Sequence, residues 1–154
     1  MFKKTVLFLV IILIGIQFIP ADKTNPSVDE ALTLKADESV MKLLKSSCYD
    51  CHSFETKWPY YADIAPISFF VSGHVKDARA ALNFSIWEAM DIKIKEARLK
   101  RAIITVNNEM MALPSYVAAH EEAKLSVEQK EILTAWFKEE LNKIAPQKKS
   151  ALTR

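Results

Sequence analysis

The fold of this chain is decided by one short stretch, Ser47-Cys48-Tyr49-Asp50-Cys51-His52-Ser53. Cys48 and Cys51 are the only two cysteines of the 154 residues, and His52 directly follows the second one. A C-x-x-C-H pattern of this kind is the attachment signature of c-type haem. Two thiols at this spacing can add across the two vinyl groups of haem, and the adjacent histidine then lies under the iron as proximal ligand. The motif therefore predicts one covalently bound haem c.

Three other interpretations of the two cysteines stay open at this point. A disulfide between Cys48 and Cys51 could serve a thiol–disulfide oxidoreductase, although that class expects a βαβ context, which the sequence does not suggest. A structural zinc site would need two more ligands, and only His74 and His120 remain as candidates. The last alternative is a helical domain without haem.

Glycine is scarce, and this bounds the fold class. The chain has two glycines, Gly15 and Gly73, whereas phosphate loops and dinucleotide fingerprints need several in a short span. An all-β fold rich in tight hairpins would also need more glycine. Abundant Ala, Leu, Lys and Glu favour helices. The composition predicts an all-α single domain of four to five helices.

Helical spacing and capping residues predict where the first helices lie. Residues 22–36 are polar and indicate a linker, or a weak first helix capped by Ser27 with Glu30. A helix should end near Ser46, followed after the motif by an irregular loop to Pro66. The next helix should begin after Pro66, with His74 on its apolar face.

The second half of the chain predicts two further helices. Ser85 can cap a helix that runs to about Thr105, whose charged stretch from Asp91 to Arg101 indicates a solvated face. A second loop follows, then a short turn. Ser126 and Gln129 form a capping box for the last helix. That helix should present an inward face made of Ile132, Leu133, Trp136, Phe137 and Leu141.

The N-terminus carries an export pattern. Lys3 and Lys4 precede an apolar run over residues 5–19, and no acidic residue occurs before Asp22. This predicts a signal peptide or an N-terminal membrane anchor over residues 1–21, with the rest of the chain in the bacterial periplasm. The expected organisation continues with a linker at 22–36 and a haem-binding domain at 37–145. A basic tail at 146–154 completes it.

Charge argues against nucleic acid as a partner. The chain has 21 basic and 19 acidic residues, for a net charge of +2. Residues 1–21 contain two of the basic residues and none of the acidic ones, so the exported part is electrically balanced. The isoelectric point near 8.5 therefore reflects the N-terminal segment rather than a basic binding surface.

The sixth ligand of the haem iron is less constrained by the sequence. Met111 is the favoured distal ligand, because a loop methionine well after the motif can place its thioether over the open haem face. Met110, His74 and His120 are alternatives, as is an empty position. A methionine–histidine pair would raise the reduction potential, and a pair of histidines would lower it.

The sequence also resembles the small bacterial haem-binding domain proteins over roughly residues 40–140. The stretches that carry the resemblance are Ser47-Cys48-Tyr49-Asp50-Cys51-His52-Ser53, Thr56-Lys57-Trp58-Pro59-Tyr60-Tyr61, Ala65-Pro66-Ile67-Ser68, His74-Val75-Lys76, Leu82-Asn83-Phe84-Ser85-Ile86-Trp87, Met111-Ala112-Leu113-Pro114-Ser115-Tyr116, His120, Ala123-Lys124-Leu125-Ser126 and Trp136. The resemblance implies an exported, cytochrome c-like domain with one haem, often behind a hydrophobic segment. Members usually carry proline after the loop methionine, where this chain has Ala112.

Together these features predict a monohaem c-type cytochrome that carries one electron between redox partner proteins in the periplasm. Cys48 and Cys51 would anchor the haem, His52 would be the proximal ligand and Met111 the distal one. In this interpretation the protein is an electron carrier and not an enzyme. A haem-based sensor or a peroxidase-like enzyme with a labile sixth ligand is the alternative function.

Overall fold

The computed structural model describes the backbone of residues 1–152 and the side chains of residues 1–144. Its α-helices are α1 (Phe2–Gly15), α2 (Glu38–Ser47), α3 (Tyr49–His52), α4 (Ile67–Ala81), α5 (Ile92–Asn107), α6 (Pro114–Val117) and α7 (Val127–Leu152). Shorter 3₁₀ turns lie at Ile16–Phe18, Tyr60–Asp63, Phe84–Ala89 and Glu121–Ala123. The described residues contain no strand, which confirms the all-α prediction. After α1, the four long helices are joined by the single turns α3 and α6.

The core lies where α5 and α2 pack against α7, while α3 packs on α4. Leu44 of α2, Leu99 of α5 and Leu133 of α7 are almost completely buried. The other members of the core are Leu34, Val40, Tyr49, Phe84, Trp87, Ala102, Val106, Leu125, Trp136, Phe137 and Ile144. Burying one leucine side chain stabilises the fold by about 1.5–3 kcal/mol, so this cluster holds the long helices together.

The start of α7 follows the predicted capping box. The Ser126 backbone N–H donates to Gln129 Oε1 at 2.8 Å, and the Gln129 backbone N–H donates to Ser126 Oγ at 3.1 Å. Leu133 and its predicted partners Trp136 and Phe137 are buried. Ile132 is 40% exposed, so its predicted inward position is wrong. One residue along a helix turns about 100°, which carries Ile132 to the edge of the face that Leu133 centres.

The helix predicted to begin at Ser85 begins later. The Ser85 backbone N–H donates to Asn83 Oδ1 at 2.9 Å, which opens a 3₁₀ turn that buries Trp87. The capping residue of α5 is Asp91, whose carboxylate accepts from the Lys93 backbone N–H at 2.8 Å. The prediction was wrong because the Ser85 hydroxyl accepts from the Phe54 backbone N–H at 2.9 Å and so does not cap a helix.

Residues 22–36 contain no α-helix, so Ser27 and Glu30 cap none. The segment packs onto the domain instead. Leu34 is buried, and its backbone N–H donates to the Phe84 carbonyl at 2.8 Å. At the other end of the chain, α7 continues to Leu152 through most of the predicted basic tail. The side chains of that tail, and residues 153–154 altogether, lie outside the described residues.

The N-terminal helix α1 carries Lys3 and Lys4 in its first turn and is apolar on all sides from Val6 onward, and its hydrophobic side chains are exposed. Just after α1, the Gln17 side-chain amide donates to the Ala65 carbonyl at 2.9 Å and accepts from the Ala65 N–H at 3.0 Å. This pair of hydrogen bonds joins the N-terminal segment to the loop before α4. None of the described helices combines the length and the apolar character that crossing a bilayer requires.

Candidate functional site

The C-x-x-C-H motif lies at the junction between α2 and α3. Cys48 ends α2, with its backbone N–H donating to the Leu44 carbonyl at 2.9 Å, and its own carbonyl accepts from the His52 N–H at 2.9 Å. Tyr49 between the cysteines is buried and stacks on Phe84, with ring centroids 5.3 Å apart. The motif is therefore one tight helical turn, anchored in the core through its tyrosine.

The imidazole of His52 has a defined orientation. Its Nδ1 lies 2.9 Å from the Leu82 carbonyl oxygen and 3.1 Å from that of Ala78, both at the C-terminal end of α4. Carbonyl oxygens only accept, so Nδ1 carries the proton and Nε2 keeps its lone pair. Burial lowers the pKa of His52, which favours the neutral ring. A neutral imidazole with its second nitrogen held by a carbonyl is the usual state of a metal-ligating histidine.

The two thiols are free and protonated in this environment. Burial, followed by the charge of the neighbouring Cys51, raises the pKa of Cys48 to about 12. Burial and then the nearby Asp50 raise the pKa of Cys51 to about 11. Redox-active C-x-x-C pairs work through a thiol of lowered pKa. The site therefore does not suit a thiol–disulfide oxidoreductase.

Two adjoining cavities open beside the motif. The larger, here called the His52 cavity, measures about 520 Å³ and is lined by Cys48, His52, Met111 and a mainly apolar wall that includes Phe137. This volume falls in the range of pockets that hold organic ligands. A small cavity of about 40 Å³ adjoins it, lined by Cys51, His52, His74 and Met111. Both cysteines and the histidine of the motif therefore face this connected space.

The structure brings some of the predicted distal ligands to this space and keeps one away. Met111 lines both cavities beside His52, whereas Met110 lines only the His52 cavity and is 51% exposed. His74 lines the small cavity but not the His52 cavity, and it also lines a third cavity of about 250 Å³ that borders Cys51. Its side chain is exposed, although the sequence placed it on an apolar helix face. His120 lines neither cavity, and its ring nitrogens lie 2.8 Å from the Tyr61 hydroxyl and 3.1 Å from a Glu122 carboxylate oxygen.

The zinc alternative finds no ligand set in the part of the chain that the structure describes. No group of three or more His, Cys, Asp or Glu side chains is arranged to hold a metal ion there. His74 and His120, the two candidates from the sequence, therefore do not complete a site with the cysteines.

Sequence reasoning missed two side chains that hold the motif in place. The Arg79 guanidinium on α4 donates to the Ser53 carbonyl at 2.7 Å and to Thr56 Oγ1 at 2.9 Å. The Tyr116 hydroxyl donates to Asp50 Oδ2 at 2.6 Å. Each of these bonds joins residues more than 20 positions apart, so no local pattern could have revealed them. They were detectable only as single polar residues in otherwise apolar or loop stretches.

Comparison with known proteins identifies a family for this chain. The model of one protein family, described as the haem-binding domain, matches residues 11–139 of the chain. No curated protein and no solved structure matches. The match covers all of the motif, both cavities and the start of the apolar wall on α7, and haem is the cofactor that this family binds. The chain belongs to the haem-binding domain family.

Proposed function

We propose that this protein is a monohaem c-type cytochrome that carries one electron between redox partner proteins. The observation that carries the proposal is the orientation of His52. Its Nδ1 donates to the Leu82 carbonyl at 2.9 Å, and its Nε2 has no hydrogen-bonding partner among the described residues. His52 faces a cavity of about 520 Å³ together with Cys48. The fit supports haem, since the ring system needs an apolar space and the motif offers two thiols beside one neutral imidazole.

In this proposal Cys48 and Cys51 hold the haem through thioether bonds, and His52 is the proximal ligand. Haem supplies a one-electron iron couple when bound. The chain itself contributes by holding the ligating residues in position. The carbonyls of Ala78 and Leu82 hold the His52 ring in one tautomer, and the stacked pair Tyr49–Phe84 fixes the turn that carries it. The apolar lining excludes water, which disfavours the more highly charged ferric form.

Met111 is the distal ligand that the geometry supports best. It borders both cavities that His52 borders, whereas Met110 and His74 border one each. Both ring nitrogens of His120 already have hydrogen-bonding partners. Ligation by Met111 and His52 would give a higher reduction potential than a pair of histidines.

The test is expression of the full chain in a host competent for cytochrome c maturation. We expect haem that stays attached after denaturation, and attachment lost when both cysteines are replaced by alanine. A haem-free product from the unaltered chain would refute the proposal. The spectrum of oxidised protein should show a methionine–iron charge-transfer band that disappears in Met111→Ala and persists in Met110→Ala and His74→Ala. Rapid carbon monoxide binding by the unaltered protein would instead favour the sensor or peroxidase-like alternative.

We further propose that the protein works on the periplasmic side of a bacterial inner membrane. The charged pair Lys3 and Lys4 in the first turn of the exposed helix α1, followed by an apolar run, supports export. The paired hydrogen bonds between Gln17 and Ala65 favour an N-terminal segment that is retained as an anchor. Cell fractionation and the intact mass of the mature protein test this. Recovery in the cytoplasm would contradict it, and a mass lacking residues 1–21 would show a signal peptide instead.

A further inference from the structure

The charged lining of the His52 cavity has one sign. Arg98 and Arg101 of α5 are the charged side chains that border it, and no carboxylate is among its lining residues. The two arginines are three positions apart, so they lie on one face of α5. The sequence alone assigned this stretch to a solvated helix face. The structure instead sets two guanidinium groups on the rim of an apolar cavity.

Within the part of the chain that the structure describes, no ion pair joins Arg98 or Arg101 to a carboxylate. Arg98 donates one long hydrogen bond, to the Ala80 carbonyl at 3.3 Å. Two lysines of the same helix do have carboxylate partners. Lys95 pairs with Glu88 at 2.8 Å, and Lys100 pairs with Glu96 at 2.6 Å. Arg98 and Arg101 therefore border the cavity without a carboxylate partner among the described residues, which leaves them available to an anionic ligand.

We propose that Arg98 and Arg101 bind the two propionate carboxylates of the haem. This inference rests on the proposed function and deepens it. It selects the cavity that would hold the haem and the residues that would bind its propionates. Arginine is suited to the task, since its planar fork of N–H donors matches a carboxylate. An apolar cavity with two cations on its rim is complementary to a flat apolar ring system that carries two anions.

A third cavity, which also borders Cys51, differs from the His52 cavity in its charged lining. It measures about 250 Å³, and the charged residues that line it are Asp50 and Lys57. The Asp50 carboxylate would repel a propionate, and it already accepts from the Tyr116 hydroxyl at 2.6 Å. The larger volume and the two cations on its rim therefore both favour the His52 cavity as the haem site.

The two arginines should affect the haem in two measurable ways. A positive charge near the iron disfavours the ferric state, so loss of the charge lowers the reduction potential. A guanidinium also stabilises the ionised propionate. Without it the propionate pKa rises toward neutrality, and the potential becomes dependent on pH across that range. Both effects weaken at high ionic strength, since the rim is partly exposed.

The experiment compares the full-length holoprotein with its Arg98→Gln, Arg101→Gln and double variants. Lys93→Gln is the matched control, because it removes one positive charge from an exposed position of the same helix. Covalent haem is quantified first, and the midpoint potential is then measured by spectroelectrochemistry between pH 5 and 8. We expect the double variant to shift the ferric–ferrous equilibrium about tenfold toward ferric, which is about 59 mV for a one-electron couple. Its potential should also vary more steeply with pH.

The outcomes separate this inference from the proposed function. If the unaltered chain attaches no haem, both fail. If haem is attached and the double variant shifts no more than Lys93→Gln at any pH, the propionate assignment alone is overturned. Should the double variant be too poorly assembled to measure, the two single variants decide, each with an expected shift of about threefold. Single variants that match the control would overturn the assignment in the same way.

Discussion

Replacing Arg79 by glutamine tests how the C-x-x-C-H turn is held against α4. The Arg79 guanidinium donates to the Ser53 carbonyl at 2.7 Å and to Thr56 Oγ1 at 2.9 Å, and both bonds are partly buried. Two further bonds reach Thr24 and Asn25 at the exposed surface. A hydrogen bond from a charged donor contributes about 1.5–3 kcal/mol, and solvent exposure favours the low end. The two partly buried bonds then give an expected loss of about 3 kcal/mol.

Urea unfolding followed by far-ultraviolet circular dichroism measures this loss. With a slope near 2 kcal/mol per molar urea, the midpoint should fall by about 1.5 M. Arg79→Lys keeps the charge without the fork of donors, and we expect it to recover less than half of the difference. The control is Lys76→Gln, an exposed position one turn earlier on α4. If Arg79→Gln and Lys76→Gln unfold within about 0.5 kcal/mol of each other, the network does not hold the turn.

Three further predictions concern thiol chemistry and helix stability. In the haem-free chain, burial raises the pKa of Cys48 to about 12 and that of Cys51 to about 11. At pH 8 we expect Cys51 to react with iodoacetamide about 200-fold, and Cys48 about 2,000-fold, more slowly than in urea-unfolded chain, where a thiol has its ordinary pKa near 8.5. Equal rates, read by mass spectrometry, would contradict the burial of the thiols. Gly73→Ala should stabilise the protein by about 0.5–1 kcal/mol in thermal unfolding, because a Cβ there meets nothing within 4 Å. Loss of stability would show that the helix needs glycine. Ser126→Ala should cost about 1 kcal/mol, since it removes one bond of the capping box, and an unchanged midpoint would refute that role.

Much of the fold followed from local patterns. The capping box at Ser126 and Gln129 involves only residues three positions apart, so the start of α7 could be predicted with its hydrogen bonds. The start of α5 could not, because Asn83, Ser85 and Asp91 are all capable caps. Burial of Trp87 beside them favours the 3₁₀ turn at that place. Trp87 belongs to a core cluster built from several distant segments, so its burial is invisible in a local window.

The candidate site divides in the same way. The C-x-x-C-H spacing predicted Cys48, Cys51 and His52 directly, because the chemistry of attachment dictates residue types at fixed spacing. No spacing rule of this kind identifies the distal ligand of the haem iron. Met111 and His74 lie far from the motif in sequence. Only the packed structure shows that both border the small cavity with His52, and that Met111 but not His74 also borders the His52 cavity.

The sequence by itself determined the helical class, the two cysteines with their histidine, and the apolar N-terminal segment, since each depends on composition or on contacts within one or two helical turns. Tertiary structure alone decided the tautomer of His52, through the Leu82 carbonyl 30 positions away. It also decided that Arg98 and Arg101 border a cavity rather than open solvent. One physical reason explains both outcomes. A side chain's residue type is local, whereas its hydrogen-bonding partner, its burial and its charged surroundings depend on which distant segments pack against it.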